Sequence, residues 1–275
     1  MSKLMTPFGL QQAKKVLPQR IKTASKVDGG KSLIFAGSRG LWGAAVLAAS
    51  ACSKSGAGYV SLSTTAGFPS GHFPDFLTVR RPRSFAEFRA IAVGPGFKGQ
   101  QTLTQIIRSL LQKKFKKVVL DAEALKAVKN IKGHLPPDWI LTPHEGEMAH
   151  LLGMSKAQIQ KNRRSSVLLA QKKWGCVVVL KGHRTLVASK NHVFEIRSGN
   201  AALAKAGTGD VLTGMITAFL SQNLSSEQAA CLGCYVHGRM ADLWIKMGND
   251  QLSLMPSDLV NMLPSTLAKM RLARA

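Results

Sequence analysis

"GNAALAKAGTGDVLTGMITAFLSQ", residues 199–222, changes character in its middle. The first half is polar and glycine-rich; from Val211 onward apolar side chains recur with helical spacing. The join is "AGTGD", which places Thr208 to begin a helix and Asp210 in its first turn. The first amides of a helix have no internal partner, and the macrodipole adds partial positive charge there. Gly207 and Gly209 let a ligand come close to that backbone and reach conformations closed to other residues. The stretch therefore describes an anion hole suited to a phosphate. It is not a Walker loop, because no Gly-Lys-Ser/Thr follows, nor a G-x-G-x-x-G fingerprint after a strand. A carboxylate repels a bystander phosphate, but it is useful where a hydroxyl must lose its proton while attacking that phosphate. Capping of the helix by Thr208 or Asp210 is the plainer use of the same residues.

Upstream of this stretch the chain alternates strands and helices. Short apolar strands are expected at 31–37, 59–64, 90–96, 117–121, 139–142, 176–180, 185–189 and 192–198. Helices are expected at 41–58 ("LWGAAVLAASACSKSGAG", closed by Gly56), at 102–114, after "DAEAL" and after "TPHEGE". From residue 199 a run of helices continues to the C-terminus. Buried strands alternating with helices argue an α/β fold with a mainly parallel sheet. No linker rich in Pro, Gly or Ser divides the chain, so residues 1–275 are expected to form one domain. In such sheets ligands sit beyond the carboxyl ends of the strands. "GSRG" (37–40), "GPGF" (94–97), "DAEAL" (121–125), "TPHEGE" (142–147), "KGHRT" (181–185) and "AGTGD" (206–210) all fall on that edge. Their shared placement says more than any one of them.

Composition narrows the function classes. Of 275 residues, 45% are hydrophobic, yet no apolar run reaches the roughly 18–20 residues that span a bilayer. The first 22 residues lack the apolar core and cleavage site of a signal peptide. A cytoplasmic protein without a membrane partner is expected. Cys52, Cys176, Cys231 and Cys234 sit in apolar contexts and read as reduced core residues; the C-x-x-C at 231–234 has no second pair to complete a zinc site. The net charge of +24 attracts anions. Apart from "RRPR" (80–83), "KKFKK" (113–117) and "KNRR" (161–164), the cations are dispersed, and aromatics make up only 6%. No sequence-specific nucleic-acid binding is therefore expected.

Taken together, "GNAALAKAGTGDVLTG", "LTPHEGEMAHLLG", "VGPGF", "VVLDAEAL", "VVVLKGHRT" and "YVHGRMADL" resemble the ADP/ATP-dependent NAD(P)H-hydrate dehydratases, over about Lys31 to Leu243. The resemblance implies a ribokinase-like three-layer sandwich with a mainly parallel sheet between helices. It implies repair of nicotinamide nucleotides: the S-form of hydrated NADH or NADPH is dehydrated with ADP or ATP and Mg2+, releasing AMP or ADP and phosphate. Site residues carry over onto matching positions. Asp210 is the expected catalytic base and a substrate contact. Ala44, Gly96 and His144 are expected to line the hydrated dinucleotide. Lys181, Gly182, His183, Arg184 and Thr185, with Gly207, Thr208 and Gly209, are expected to hold the nucleotide. No metal ligands are assigned. The resemblance also implies a homo-oligomer, a tetramer in many members, and a separate epimerase as pathway partner, since the fused epimerase domain of many bacterial members is not expected here.

The chain departs from the family pattern at four places. Glu145 replaces the proline of "TPHPGE", Ala206 the first glycine of "GGTGD", Glu123 the second aspartate of "DADAL", and "GNAA" stands for "GNPG". His237 reads as a packed helical histidine, and Glu147 as a first-turn carboxylate complementing the helix dipole. Two rival functions share these residues. A small-molecule kinase of the same superfamily would use the same base and anion hole. A nucleic-acid-binding protein that kept the fold and lost catalysis is the other; the retained Asp210 argues against it.

Overall fold

The apolar runs become strands because both of their faces are covered. The computed structural model describes residues 4–66, 75–80, 82 and 84–272. Arg81 and Arg83 of the basic run at 80–83 lie outside the described residues. In chain order the first elements are β1 (Met5–Phe8), α1 (Leu10–Val16), β2 (Lys31–Phe35), α2 (Trp42–Lys54), β3 (Tyr59–Ser63) and β4 (Leu77–Thr78). Next come β5 (Ala90–Val93), α3 (Gln100–Gln112), β6 (Val118–Leu120), α4 (Glu123–Val128), β7 (Ile140–Leu141) and α5 (Glu145–Leu152). Then follow α6 (Lys156–Lys161), α7 (Arg163–Trp174), β8 (Val177–Leu180), β9 (Leu186–Ala188) and β10 (Val193–Ile196). A 3-10 turn (Ala201–Leu203) precedes α8 (Thr208–Ser221), α9 (Ser226–Lys246) and α10 (Pro256–Leu272).

The ten strands form one sheet in the order β1-β10-β9-β8-β7-β6-β5-β2-β3-β4. Every neighbouring pair is parallel except the two that involve β9, which runs against both β8 and β10. Alternation along each strand sends successive side chains to opposite faces. Ile34, Ala92, Val119 and Val179 face the core beneath α2, α8, α9 and α10. Leu33, Ile91, Leu120 and Val178 face the core beneath α3 to α7. Burial on both faces is why these strands read as unbroken Val, Ile and Leu. This is the three-layer α/β sandwich expected from the sequence.

Two features of the layers bear on the site. The helix α8 is buried from Val211 to Ser221, because it lies between the sheet and the outer helices. Small residues where α8 meets α2 permit that layer: a methyl at Gly214 of α8 would lie 2.1 Å from the carbonyl oxygen of Ala48 in α2. In the other layer Trp139 is fully buried, and its indole N–H donates to the Phe115 carbonyl at 2.8 Å. The edge strands β1 and β4 and the helices α1, α6 and α7 are not marked by the sequence pattern; the two strands have four and two residues and are mostly exposed. All four cysteines are buried and free. Burial pushes the Cys52, Cys176 and Cys234 thiols up to about 12, so they behave as small apolar groups. Among the described residues no helix is long and apolar enough to cross a membrane.

Candidate active site

The carboxyl ends of three neighbouring strands meet the start of α8. Asp121 follows β6 and is 2% exposed. Lys181 follows β8, and β7 lies between them. The Lys181 ammonium spans that gap, donating to Asp121 Oδ1 at 2.8 Å. Thr213, one turn into α8, donates its hydroxyl to Asp121 Oδ2 at 2.7 Å. The backbone fixes Asp121 as firmly as its side-chain partners do. A methyl at Gly94 (φ +127°) would fall 1.9 Å from the Asp121 carbonyl oxygen, and Ala122 is held at φ +49°. A residue with a Cβ adopts that conformation only where its surroundings enforce it.

Gly207 caps α8 at φ +94°, so the left-handed position of the loop falls on glycine. Ala206, which stands where the family has a glycine, is not among the described residues of positive φ. Thr208 turns its hydroxyl into the loop, donating to the Leu203 and Lys205 carbonyls at 2.9 Å. That leaves the amides of the first turn, not this hydroxyl, facing the ligand edge. Lys181 reaches over them: a methyl at Gly209 would sit 3.4 Å from its Nζ. Gly207 faces the other way, against Pro256 and Leu47. Its contribution is the turn itself.

Asp210 stands in the first turn of α8. Burial, and then the nearby Asp121 charge, push its carboxyl up to about 7, against the pull of Lys181. Burial works against the Lys181 charge, but Asp121, Glu147 and Asp210 outweigh it and raise its pKa. Burial would likewise raise Asp121, yet Lys181 and its hydrogen bond hold that carboxyl below the usual range. Two carboxylates close together thus part ways, Asp121 ionised and Asp210 poised at neutrality, the usual mark of an acid–base site.

His144 begins α5 as its cap. Its Nδ1 accepts from the Gly146 and Glu147 amides at 3.0 and 3.2 Å. Glu147 accepts the His144 amide at 2.8 Å and turns the same oxygen toward Lys181 Nζ, 3.7 Å away. The first-turn carboxylate thus belongs to the charged cluster as well as to the cap. Glu145 forms an ion pair with Arg163 of α7 and accepts from Gln160 at 2.8 Å. Arg163 also donates to the Leu180 carbonyl at 3.2 Å and packs on Gly182, where a methyl would lie 2.6 Å from its Nη1. Glutamate in place of proline therefore braces the "TPHEGE" turn against the "KGHRT" turn. Glu145→Ala and Arg163→Ala are each expected to cost about 1–3 kcal/mol in urea unfolding, the range for charge-assisted bonds. The double variant is expected to cost little more than either single one; additive losses would show that the two side chains act separately.

Lys181, Gly182, His183, Arg184, Thr185, Thr208 and Gly209 line one cavity of about 380 Å³. Their far wall is the Ser198–Asn200 stretch with His237 of α9. Burial lowers His237 to about 4, so its ring is neutral; it is packed, as expected, and also lines the cavity. Arg184 (φ +51°) is tied to Glu195 of β10 at 3.5 Å. His144 and Glu147 border a second cavity of about 360 Å³ with Ala122 and Glu123. Ala44 and Gly96 meet at the N-terminus of α2: a methyl on Gly96 (φ +59°) would lie 2.7 Å from Ala44 Cβ. Asp121, Thr213, Glu147 and Arg163 join the site without having been assigned to it from the sequence.

Comparison with known proteins agrees with this geometry. The family model described as NAD(P)H-hydrate dehydratase matches residues 32–265. The bifunctional NAD(P)H-hydrate repair enzyme of Moorella thermoacetica is 34% identical over 278 residues, covering 91% of this chain and 52% of that protein. The chain thus spans about half the length of such bifunctional relatives. The ADP-dependent (S)-NAD(P)H-hydrate dehydratase of Neisseria meningitidis is 37% identical over 247 residues, covering 83% of this chain and 81% of that one. The structure of the Bacillus subtilis ADP/ATP-dependent NAD(P)H-hydrate dehydratase, co-crystallised with ATP/Mg2+, superposes with a TM-score of 0.87 at 28% identity, covering 98% of this chain and all of that one. On the match of its sequence and of its ribokinase-like fold, this chain belongs to the NAD(P)H-hydrate dehydratase family.

Proposed function

We propose that this chain converts the S-form of hydrated NADH or NADPH back to the reduced dinucleotide, spending ADP or ATP and releasing AMP or ADP with phosphate. The observation that carries the reading is Asp210, a carboxylate with a pKa near 7 beside the open amides of α8 and the Lys181 ammonium. In this reading the nucleotide fills the 380 Å³ cavity along "KGHRT", with its terminal phosphoryl at the α8 N-terminus. The hydrated ring enters from the His144 side. Asp210 accepts the proton of the ring hydroxyl as that oxygen bonds to phosphorus and the bond to the nucleotide breaks. The amides of the first turn and Lys181 hold the charge that develops on the phosphoryl oxygens. The ring C–O bond then breaks with its electrons leaving on phosphate, a far better leaving group than hydroxide. Loss of a proton from the neighbouring carbon restores the double bond.

The donor set also suits magnesium. Among the described residues no three His, Cys, Asp or Glu side chains are grouped to hold a metal on their own. Magnesium does not need them: it keeps several waters and takes one or two carboxylates plus the phosphates of its nucleotide. Both Asp121 oxygens are engaged by Lys181 and Thr213, and Asp210 is kept for the proton, so Glu147 is the carboxylate that would hold the ion. When bound, the ion neutralises charge on the phosphates. A homo-oligomer and an epimerase activity that supplies the S-form complete the proposal.

The test is to incubate the purified chain with hydrated NADPH, magnesium and either ADP or ATP. Reduced-nicotinamide absorbance is expected to recover in step with phosphate release. Nucleotide consumption with a stable phosphorylated product and no recovered absorbance would make the chain a kinase instead.

A further inference from the structure

In a parallel sheet every chain segment that leads into a strand lies on the edge opposite the ligands. Here the segments leading into β2 (26–31), β5 (84–89), β6 (113–117), β7 (129–139) and β8 (172–176) hold eleven lysines and arginines against three carboxylates, Asp28, Glu87 and Asp138. The carboxyl edge is close to balance: Asp121, Glu123, Glu145, Glu147 and Asp210 stand there against Arg39, Lys98, Lys126, Lys181 and Arg184. The +24 charge is therefore not evenly spread: a cationic face lies across the sheet from the site.

Local structural needs explain only part of that face. Arg89 donates to the Ser221 carbonyl at 3.2 Å, Lys117 to Leu220 at 3.1 Å and Lys173 to Leu151 at 3.3 Å, each at a helix C-terminus where a cation complements the dipole. Among the described residues, Lys31 with Glu87 (3.3 Å) is the one ion pair made by the eleven. The other cations crowd one another. Burial, and then the neighbouring Arg89 charge, lower the Lys117 pKa. Among the described residues, the exposed lysines of "KKFKK", with Lys129, Lys132 and Lys172, make no ion pair.

The face is also elongated. β2, β5, β6, β7 and β8 are consecutive neighbours, and at about 4.8 Å per strand their starts span roughly 19 Å. Over that length one nucleic-acid strand presents about six phosphates, at roughly 3.4 Å each. The cations are chiefly lysines, point charges that suit a phosphate backbone and carry no base-reading fork. Tyr59, the aromatic ring beside Lys26 and Lys31, has their ammonium groups 5.3 and 5.6 Å from its centroid and is not a free stacking platform. We propose that the amino-terminal edge of the sheet is a second binding surface, one that takes the phosphate backbone of a nucleic acid without reading its sequence and leaves the opposite edge open to its own ligands.

Any strongly cationic protein binds DNA at low salt, so the test turns on position. Fluorescence anisotropy of the full chain with a labelled random-sequence duplex, and with a single-stranded RNA of equal length, would be followed over a salt series. Lys113→Gln/Lys116→Gln/Lys132→Gln removes three cations from the amino edge. Arg39→Gln/Lys98→Gln/Lys246→Gln removes three exposed cations from the other side. The first variant is expected to flatten the slope of log Kd against log salt by about 2–3, near 0.9 for each phosphate that is no longer neutralised, and to weaken binding at least tenfold at moderate salt. The second is expected to stay within about threefold of the parent, the modest effect of long-range charge alone. Equal losses in both variants would reduce the surface to diffuse charge and overturn the proposal. Binding confined to vesicles containing phosphatidylserine, beside which Ile21 and Val27 stand exposed, would overturn it in favour of a membrane.

Discussion

Asp210→Asn is expected to lose roughly 10²–10⁴-fold in turnover, the usual share of a general base, while nucleotide still binds. The same substitution is expected to make the protein more stable, and more so as pH rises. The sign follows from the pKa. In the folded chain Asp210 is held at about 7, well above its ordinary 3.8. Between those values the native state keeps a proton that the unfolded chain has released. The protonated carboxyl therefore contributes stability that is complete below about pH 4 and is lost as pH rises through about 7. Above that, a carboxylate is held in a site whose burial and whose Asp121 neighbour oppose its charge. Asparagine keeps the shape and sheds that cost. The interval between 3.8 and about 7, at about 1.4 kcal/mol per unit, sets a ceiling near 4 kcal/mol. A gain in Tm of about 4–8 °C at pH 8, shrinking toward zero near pH 4, is the expected reading for a chain of this size. Turnover of the parent should fall below about pH 7, where Asp210 takes up its proton. A variant with near-normal turnover, or a Tm difference that does not change with pH, would remove Asp210 from the role of buried base.

The strands that are easiest to place are those with both faces covered, since "KSLIF", "AIAV", "VVL" and "VVVL" admit no other fate in a chain of this pattern. The turns at their carboxyl ends are legible for the same reason: parallel strands all finish on one edge, so "DAEAL", "TPHEGE" and "KGHRT" can be collected there before any contact is known. Edge elements are not legible. β1 contains Pro7 and pairs on one side only, through β10, and its neighbours are 188 residues away in the chain. Long-range pairs between turns are hidden for a different reason. Lys181 and Asp121 are 60 residues apart and Thr213 and Asp121 are 92 apart, so no local spacing links them. Each of the first two ends an otherwise apolar strand with a lone charge, "VVLD" and "VVVLK". Opposite charges at the ends of two buried strands are a signal to pair them, and strand order supplies the rest, because β7 alone separates β6 from β8. The brace from Glu145 to Arg163 is out of reach, since it joins an unusual residue to a helix whose polar faces give no period.

Lys181→Ala is expected to be the most damaging single change in the site, because it harms fold and chemistry together. The sequence alone places Lys181 as a phosphate contact at a strand end, but its ammonium is hydrogen-bonded to a carboxylate that is 2% exposed. Removing the lysine leaves Asp121 ionised in the interior with the Thr213 and Thr142 hydroxyls as its remaining side-chain partners. Breaking a buried pair from one side costs about 3–5 kcal/mol, mostly from the stranded charge. The expected fall in Tm is on the order of 10 °C. Asp121→Asn/Lys181→Ala removes both charges, and asparagine still accepts the Thr213 hydroxyl. The double variant is expected to recover most of the lost stability, a coupling of about 2–3 kcal/mol, at the high end for groups in contact. It is not expected to recover turnover, since the ammonium beside Gly209 and the α8 amides is gone. Binding should separate the two ligands as well. Lys181 lines the 380 Å³ cavity and not the one that His144 borders, so calorimetry of the double variant should show nucleotide affinity falling more than affinity for the hydrated dinucleotide. Additive stability losses in the cycle would mean that Lys181 and Asp121 do not neutralise each other, and the account of how Asp121 stays charged while Asp210 does not would fail with them.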